Sequence, residues 1–147
     1  MEATYTDIIF GEMKYKHRWY KMSKVNLFEK EWDITVAAKA YSGKPISDAQ
    51  RISYKKFLEE QDSFSMKVSE MILDFINQNC VELSATWFGA RMIKLASDLA
   101  AIVKPRTLLF KQDGTALVLL DCPWDEEHGL AVQLIPEFAI GSQDVFL

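Results

Sequence analysis

Arg106-Thr107-Leu108-Leu109-Phe110-Lys111-Gln112-Asp113-Gly114-Thr115-Ala116-Leu117-Val118-Leu119-Leu120 decides the class of fold. Two apolar runs flank an Asp-Gly pair, the signal of a tight antiparallel hairpin. The returning run, Ala116–Leu120, has no polar position, as expected of a strand buried on both faces. A third run follows, in which Leu130, Val132 and Leu134 alternate with Ala131, Gln133 and Ile135. Between the second and third runs stands Asp121-Cys122-Pro123-Trp124-Asp125-Glu126-Glu127-His128-Gly129. It holds four carboxylates, one of the two histidines and one of the two cysteines.

Upstream, Pro105 closes Ala90–Val103, which reads as a helix with Ile93, Leu95, Leu99, Ala100 and Ile102 partly buried. Residues 80–91 read as irregular and aromatic. Ser65–Asn79 is a clearer helix, because Val68, Met71, Ile72, Phe75 and Ile76 recur at i, i+3, i+4, i+7 and i+8. Ser47 and Gln50 make a capping box that opens another helix, with Asp48 in its first turn. Ile52 and Phe57, with Ala49 and Tyr54, are expected to face inward, and Glu59-Glu60-Gln61-Asp62 closes this helix. The two helices are close enough in sequence to form a hairpin.

Ser42-Gly43-Lys44-Pro45 breaks the chain before them, and the alternation over Trp32–Ala40 predicts a strand. Thr6–Phe10 reads as a strand closed by Gly11, and Met13–Trp19 as a turn. Over residues 20–27 neither parity is apolar, so an exposed strand or loop is expected. At the other end, Pro136-Glu137 and Gly141-Ser142 punctuate the chain, and Val145-Phe146-Leu147 reads as a last short strand. Strands, then helices, then strands predict an α+β fold. The expected architecture is a mainly antiparallel sheet of about five to seven strands with two or three helices packed on one face. A chain of 147 residues predicts a single globular domain, 1–147.

Composition narrows the function classes. Apolar residues make up 49% and charged residues 26%, ordinary for a globular protein. The net charge is −4, and Lys14, Lys16, His17 and Arg18 form the one basic cluster, so phosphate-backbone binding is disfavoured. No apolar stretch approaches the roughly 18 residues that span a bilayer, and the start has no secretory pattern. Cys80 and Cys122 do not make a disulfide framework. A cytoplasmic, reduced setting follows, with neither nucleic acid nor membrane as partner. The dispersed glycines form no phosphate loop, and no cofactor is expected.

Two groups of residues can carry function. In the first, Asp121, Asp125, Glu126 and His128 suit a divalent cation such as zinc, iron or manganese, with Glu127 beside them and Asp144 as a partner from the tail. Buried, such groups can also do acid–base work. The spacing matches no catalytic motif, however, and a charged loop between strands has a plain structural use. Cys122 with His128 is the one conceivable nucleophile and base, but carboxylates surround it, and thiolates need a positive setting. The second group is aromatic: Tyr15, Trp19, Tyr20, Phe28 and Trp32, then Trp87-Phe88. These rings either fill the core or make a partner-binding face.

Ile46-Ser47-Asp48-Ala49-Gln50, Trp124-Asp125-Glu126-Glu127-His128-Gly129 and Ile140-Gly141-Ser142-Gln143-Asp144 together resemble a bacterial family of uncharacterised domains, over residues 25–147. The resemblance carries no activity to any residue. Related small proteins stand beside secreted-toxin genes and are thought to be immunity or accessory proteins, so it implies a binder. The expectation is a non-catalytic cytoplasmic protein, of immunity type, that binds another protein through Trp124, Asp125, Glu126, Glu127 and His128, as monomer or homodimer. The alternative is a metal-assisted hydrolase or lyase using Asp121, Asp125, Glu126 and His128. A third reading makes the loop structural, with Trp124 in the core and His128 holding the turn.

Overall fold

A computed structural model describes residues 3–41 and 44–147. Ser42 and Gly43 of the expected chain break lie outside the described residues, as do Met1 and Glu2. The fold is α+β. Among the described residues the sheet has eight strands, β1 Ala3–Asp7, β2 Gly11–Tyr15, β3 Trp19–Leu27, β4 Lys30–Ala38, β5 Lys104–Phe110, β6 Ala116–Asp121, β7 Leu130–Ile135 and β8 Ala139–Ser142. They lie side by side in sequence order. Every neighbouring pair is antiparallel except β4 and β5, which are parallel.

A parallel pair needs a crossover, and the helices fill it: α1 Asp48–Glu59, α2 Gln61–Gln78, α3 Cys80–Leu83 and a 3₁₀ turn at Ala96–Ala101. A last short helix, α4 Gln143–Phe146, follows β8. None of these helices is long and apolar enough to cross a membrane.

The Ser47–Gln50 box forms as its sequence demands: Ser47 Oγ accepts from Gln50 N, and Gln50 Oε1 accepts from Ser47 N. Gln50 does more. Its buried side-chain amide donates to the carbonyls of Lys39 at 2.8 Å and Phe110 at 3.0 Å, where the β4–β5 ladder ends. The inward stripe of α1 is Gln50, Ser53, Tyr54 and Phe57. Ile52, expected inward, is exposed. Ser53 takes its place in the stripe because its hydroxyl donates to the Gly114 carbonyl at the tip of the β5–β6 hairpin. That tip needs glycine: Gly114 has φ +93°, and a methyl group there would lie 3.0 Å from the Ala49 carbonyl oxygen.

Phe64, Val68, Ile72 and Ile76 of α2 share one core with Tyr54 and Phe57 and with strand residues such as Val36, Leu108, Phe110, Val118, Leu120 and Val132. Residues of the other parity, Ala37, Leu109, Leu117, Leu119 and Ala131, make a second cluster. β6 is thus buried on both faces, as its unbroken apolar run requires.

Six expectations are corrected. The sheet has eight strands rather than five to seven. The apolar run Ile8-Ile9-Phe10 is a turn between β1 and β2, and of the expected turn Met13–Trp19, residues 13–15 are strand in β2 and Trp19 opens β3. Asp7 imposes this: its carboxylate accepts from Ile9 N and Phe10 N and pairs with Arg51 at 2.7 Å. The exposed strand or loop expected over residues 20–27 is a strand, β3, exposed in its middle at Met22 and Lys24, and β2 pairs with it only at Lys14–Tyr20 and Tyr15–Trp19. A single-residue break at Glu60 replaces the helical hairpin, with Phe57 and Phe64 stacked across it. Ala90–Val103 is not one helix. Asn77 takes both backbone groups of Ile93, at 2.8 Å each, and only Ala96–Ala101 coils, with Leu95 left exposed. Val145-Phe146-Leu147 is not a strand, since Leu147 N donates back to Gln143 O as α4 closes.

Removing the cap alone costs about 1 kcal/mol. Gln50→Ala also removes the amide's bonds to the Lys39 and Phe110 carbonyls, of which the Phe110 carbonyl keeps its bond from Lys39 N at 2.9 Å. Urea denaturation should therefore show Ser47→Ala destabilising by about 1 kcal/mol and Gln50→Ala by about 2–4 kcal/mol.

Candidate functional site

From Asp121, the last residue of β6, the chain runs through Cys122 to Gly129 before β7 begins, and the side chains have distinct fates. Trp124 is buried against Trp87 and Phe75, with ring centroids 5.5 and 5.9 Å away. Its carbonyl accepts from Thr86 Oγ1 at 2.7 Å, which ties the loop to the segment after α3. Cys122 is buried and its thiol points at the Asp125 carbonyl, 3.7 Å away. Desolvation pushes that thiol's pKa up to about 11, so it stays protonated at neutral pH and is a poor nucleophile.

Asp125 organises the turn. Its Oδ1 accepts from His128 N at 3.1 Å and lies 3.2 Å from His128 Nδ1. Its Oδ2 accepts from Ser142 Oγ at 3.4 Å, and its carbonyl accepts from Gly129 N at 2.8 Å. Ser142 Oγ shares its one proton between Asp125 and the nearer Asp144, so the tail joins the loop. Gly129 carries φ +76°, and a methyl group there would meet the Leu120 carbonyl oxygen at 2.7 Å and Gln143 Nε2 at 2.5 Å. Only glycine fits.

The remaining carboxylates point elsewhere. Asp121 pairs with Arg106 at 2.5 Å on the surface, where such pairs add about 0–1 kcal/mol. Asp121 and Glu126 line an open depression with Ile102, Lys104, Cys122 and Pro123, in which neither Asp125 nor His128 takes part. Glu126 and Glu127 are exposed and make no hydrogen bond or ion pair among the described residues. A metal site on Asp121, Asp125, Glu126 and His128 requires those groups to converge. Among the described residues no three His, Cys, Asp or Glu side chains gather in that way. Instead Asp125 contacts His128 on one side and Ser142 on the other, Ser142 contacts Asp144, and Asp121, Glu126 and Glu127 stand outside this chain of contacts.

The aromatic group divides. Trp19 and Phe28 are buried, while Tyr15, Tyr20 and Trp32 are half-buried. Tyr15, Trp19 and Trp32 donate to the carbonyls of Ala40, Lys44 and Leu27. These rings are core and cover. Phe88 differs: Trp87 turns in and Phe88 stands fully exposed next to it, with Val81, Met92 and Leu95 also exposed nearby in sequence. The sequence marks the Trp87-Phe88 pair but not which ring faces out.

A family model described as a domain of unknown function, DUF6985, matches residues 9–147. The chain belongs to the DUF6985 family. No curated protein and no solved structure matches it. For this member of DUF6985, two separated strings of the sequence, Trp124–Gly129 and Gly141–Asp144, meet in space through Asp125 and Ser142 and through Gly129 and Gln143.

Electrostatics give the clasp a pH signature. The Asp125 hydrogen bond and charge, followed by Asp144 and Glu127, hold the His128 pKa above its ordinary value of about 6.5. A histidine whose pKa rises on folding stabilises fully below its unfolded pKa and loses that contribution as pH climbs through the folded one. His128→Gln should therefore lower the melting temperature at about pH 5.5, and the gap from the native protein should close above about pH 8. A gap independent of pH would show that the imidazolium plays no part.

Proposed function

We propose that this protein is a non-catalytic binder of another protein, acting by occlusion at the end of the sheet where Trp124–His128 stands beside the segment after α3. One observation carries this reading: Glu126 and Glu127 stand exposed on a loop whose other side chains are engaged by the fold. Trp124 and Asp125 fix the loop's shape before any partner arrives, which lowers the ordering cost of binding. Phe88, Met92 and Leu95 supply exposed apolar surface on the neighbouring segment. An aromatic anchor with charged groups around it is the usual composition of a protein interface.

In this reading the partner presents basic groups to Glu126 and Glu127, and charge complementarity speeds and selects the encounter. His128 and Asp125 serve the loop's shape. The buried residues of α1 and α2 join one core cluster, and in this reading the partner meets the sheet's end. The finer role, a cytoplasmic bacterial protein of immunity type, is supported by the resemblance at Ile46–Gln50, Trp124–Gly129 and Ile140–Asp144.

A partner isolated from the native cell provides the test. Reversing both charges, Glu126→Lys with Glu127→Lys, should slow association about tenfold or more with little change in the melting temperature. Raising salt from about 0.05 to about 0.5 M should weaken the native pair and spare the variant. Binding indifferent to both salt and charge reversal overturns the proposal.

A further inference from the structure

The apolar second face of the sheet is covered in part by the chain's own C-terminal segment. Ala37, Leu109, Leu117, Leu119 and Ala131 form a cluster to which neither α1 nor α2 contributes. The half-buried rings packed against it are Tyr20 of β3 and Phe146 of α4. Phe146 reaches this face because the chain turns at Ser142 and runs back over β8. A methyl group at Gly141 would lie 3.3 Å from the Phe146 ring. The Phe146 carbonyl accepts from Lys111 Nζ.

At its near end the segment is tied to the acidic loop. Gln143 N donates to the Gly129 carbonyl at 3.1 Å, and Gln143 Nε2 donates to the carbonyls of Leu120 and Leu130 at 3.1 and 3.3 Å. Ser142 Oγ, one residue earlier, lies 3.4 Å from Asp125 Oδ2 and shares its proton between that oxygen and Asp144. Beyond these ties little holds it down. α4 has four residues and no buried one, and Val145 and Leu147 are exposed. A helix that short has no stability of its own, and segments with few buried contacts open far below the cost of global unfolding.

We propose that Gln143–Leu147 is a strap that opens as one unit over the apolar second face of the sheet, and that the Asp125–Ser142 clasp makes the acidic loop its control point. Closed, the strap puts the Phe146 ring over the second cluster. Open, it uncovers leucines that neither α1 nor α2 covers. A change at Asp125 reaches Phe146 through Ser142 and Gln143, which are consecutive residues bonded to the loop. The strap does not depend on the partner-binding reading.

Hydrogen exchange of the full chain, read amide by amide by NMR, tests this. In the native protein the amides of Gln143 and Leu147 should exchange at least about a hundredfold faster than those of Leu117 and Leu119. Asp125→Asn should speed the first pair about tenfold further and leave the second pair within about twofold. If that variant does not fold, Ser142→Ala removes the same contact from the tail's side and is read identically. Phe146→Ala should raise the fluorescence of anilinonaphthalene sulfonate with the circular dichroism of the sheet intact. Equal protection of both pairs in the native protein overturns the strap, because the tail then opens only with the whole molecule. Equal acceleration of both pairs by Asp125→Asn and by Ser142→Ala overturns the clasp as its control point.

Discussion

The parallel pairing of β4 with β5 is the constraint from which the rest follows. Thr35 to Ala38 lie against Thr107 to Phe110 in parallel register, so no tight turn can join them. The chain must travel from one end of the sheet to the other between residues 39 and 103, and apart from α4 its helical residues are spent on that journey. Gln50 closes the parallel ladder by bonding Lys39 and Phe110, the residues that follow and end the paired stretch. The return of the crossover passes under the β6–β7 loop, where Thr86 and Trp87 meet Trp124. The crossover and the acidic loop are therefore one construction.

That construction explains the division of labour among the loop's charges. A carboxylate bonded on both oxygens, as Asp125 is by His128 and Ser142, is a structural group. Glu126 and Glu127, which make no hydrogen bond or ion pair among the described residues, lie outside that structural set. Binding by a held loop loses less entropy than binding by a mobile one. The buried Cys122, with its thiol kept protonated, belongs to the structural set.

Much of the fold was legible in the sequence wherever a local rule operated. Asp113-Gly114 marked the β5–β6 hairpin, Ser47 and Gln50 marked the start of α1, and alternation marked β4. Reading failed where a side chain distant in sequence supplied the bond. Ile93 is held out of a helix by Asn77, sixteen residues away, and Ser53 is drawn inward by Gly114, sixty-one residues away. At Ile8-Ile9-Phe10 a local rule was present but masked, since the apolar run hid the Asp7 turn. Of the loop, the sequence shows which residues are unusual. It does not show that Asp125 turns towards His128 and Ser142 while Glu126 and Glu127 turn out, because that depends on where β8 ends.

The central claim is that Asp125 and His128 hold the loop's shape and do not form half of a metal centre. The most direct measurement is the melting temperature of the purified protein in chelator and in added zinc or manganese, for the native chain and His128→Ala. The account predicts no cation-dependent shift in either protein, with the variant melting lower under both conditions near neutral pH. A rise of several degrees with stoichiometric cation, lost in His128→Ala, would contradict it and restore the metal-assisted reading.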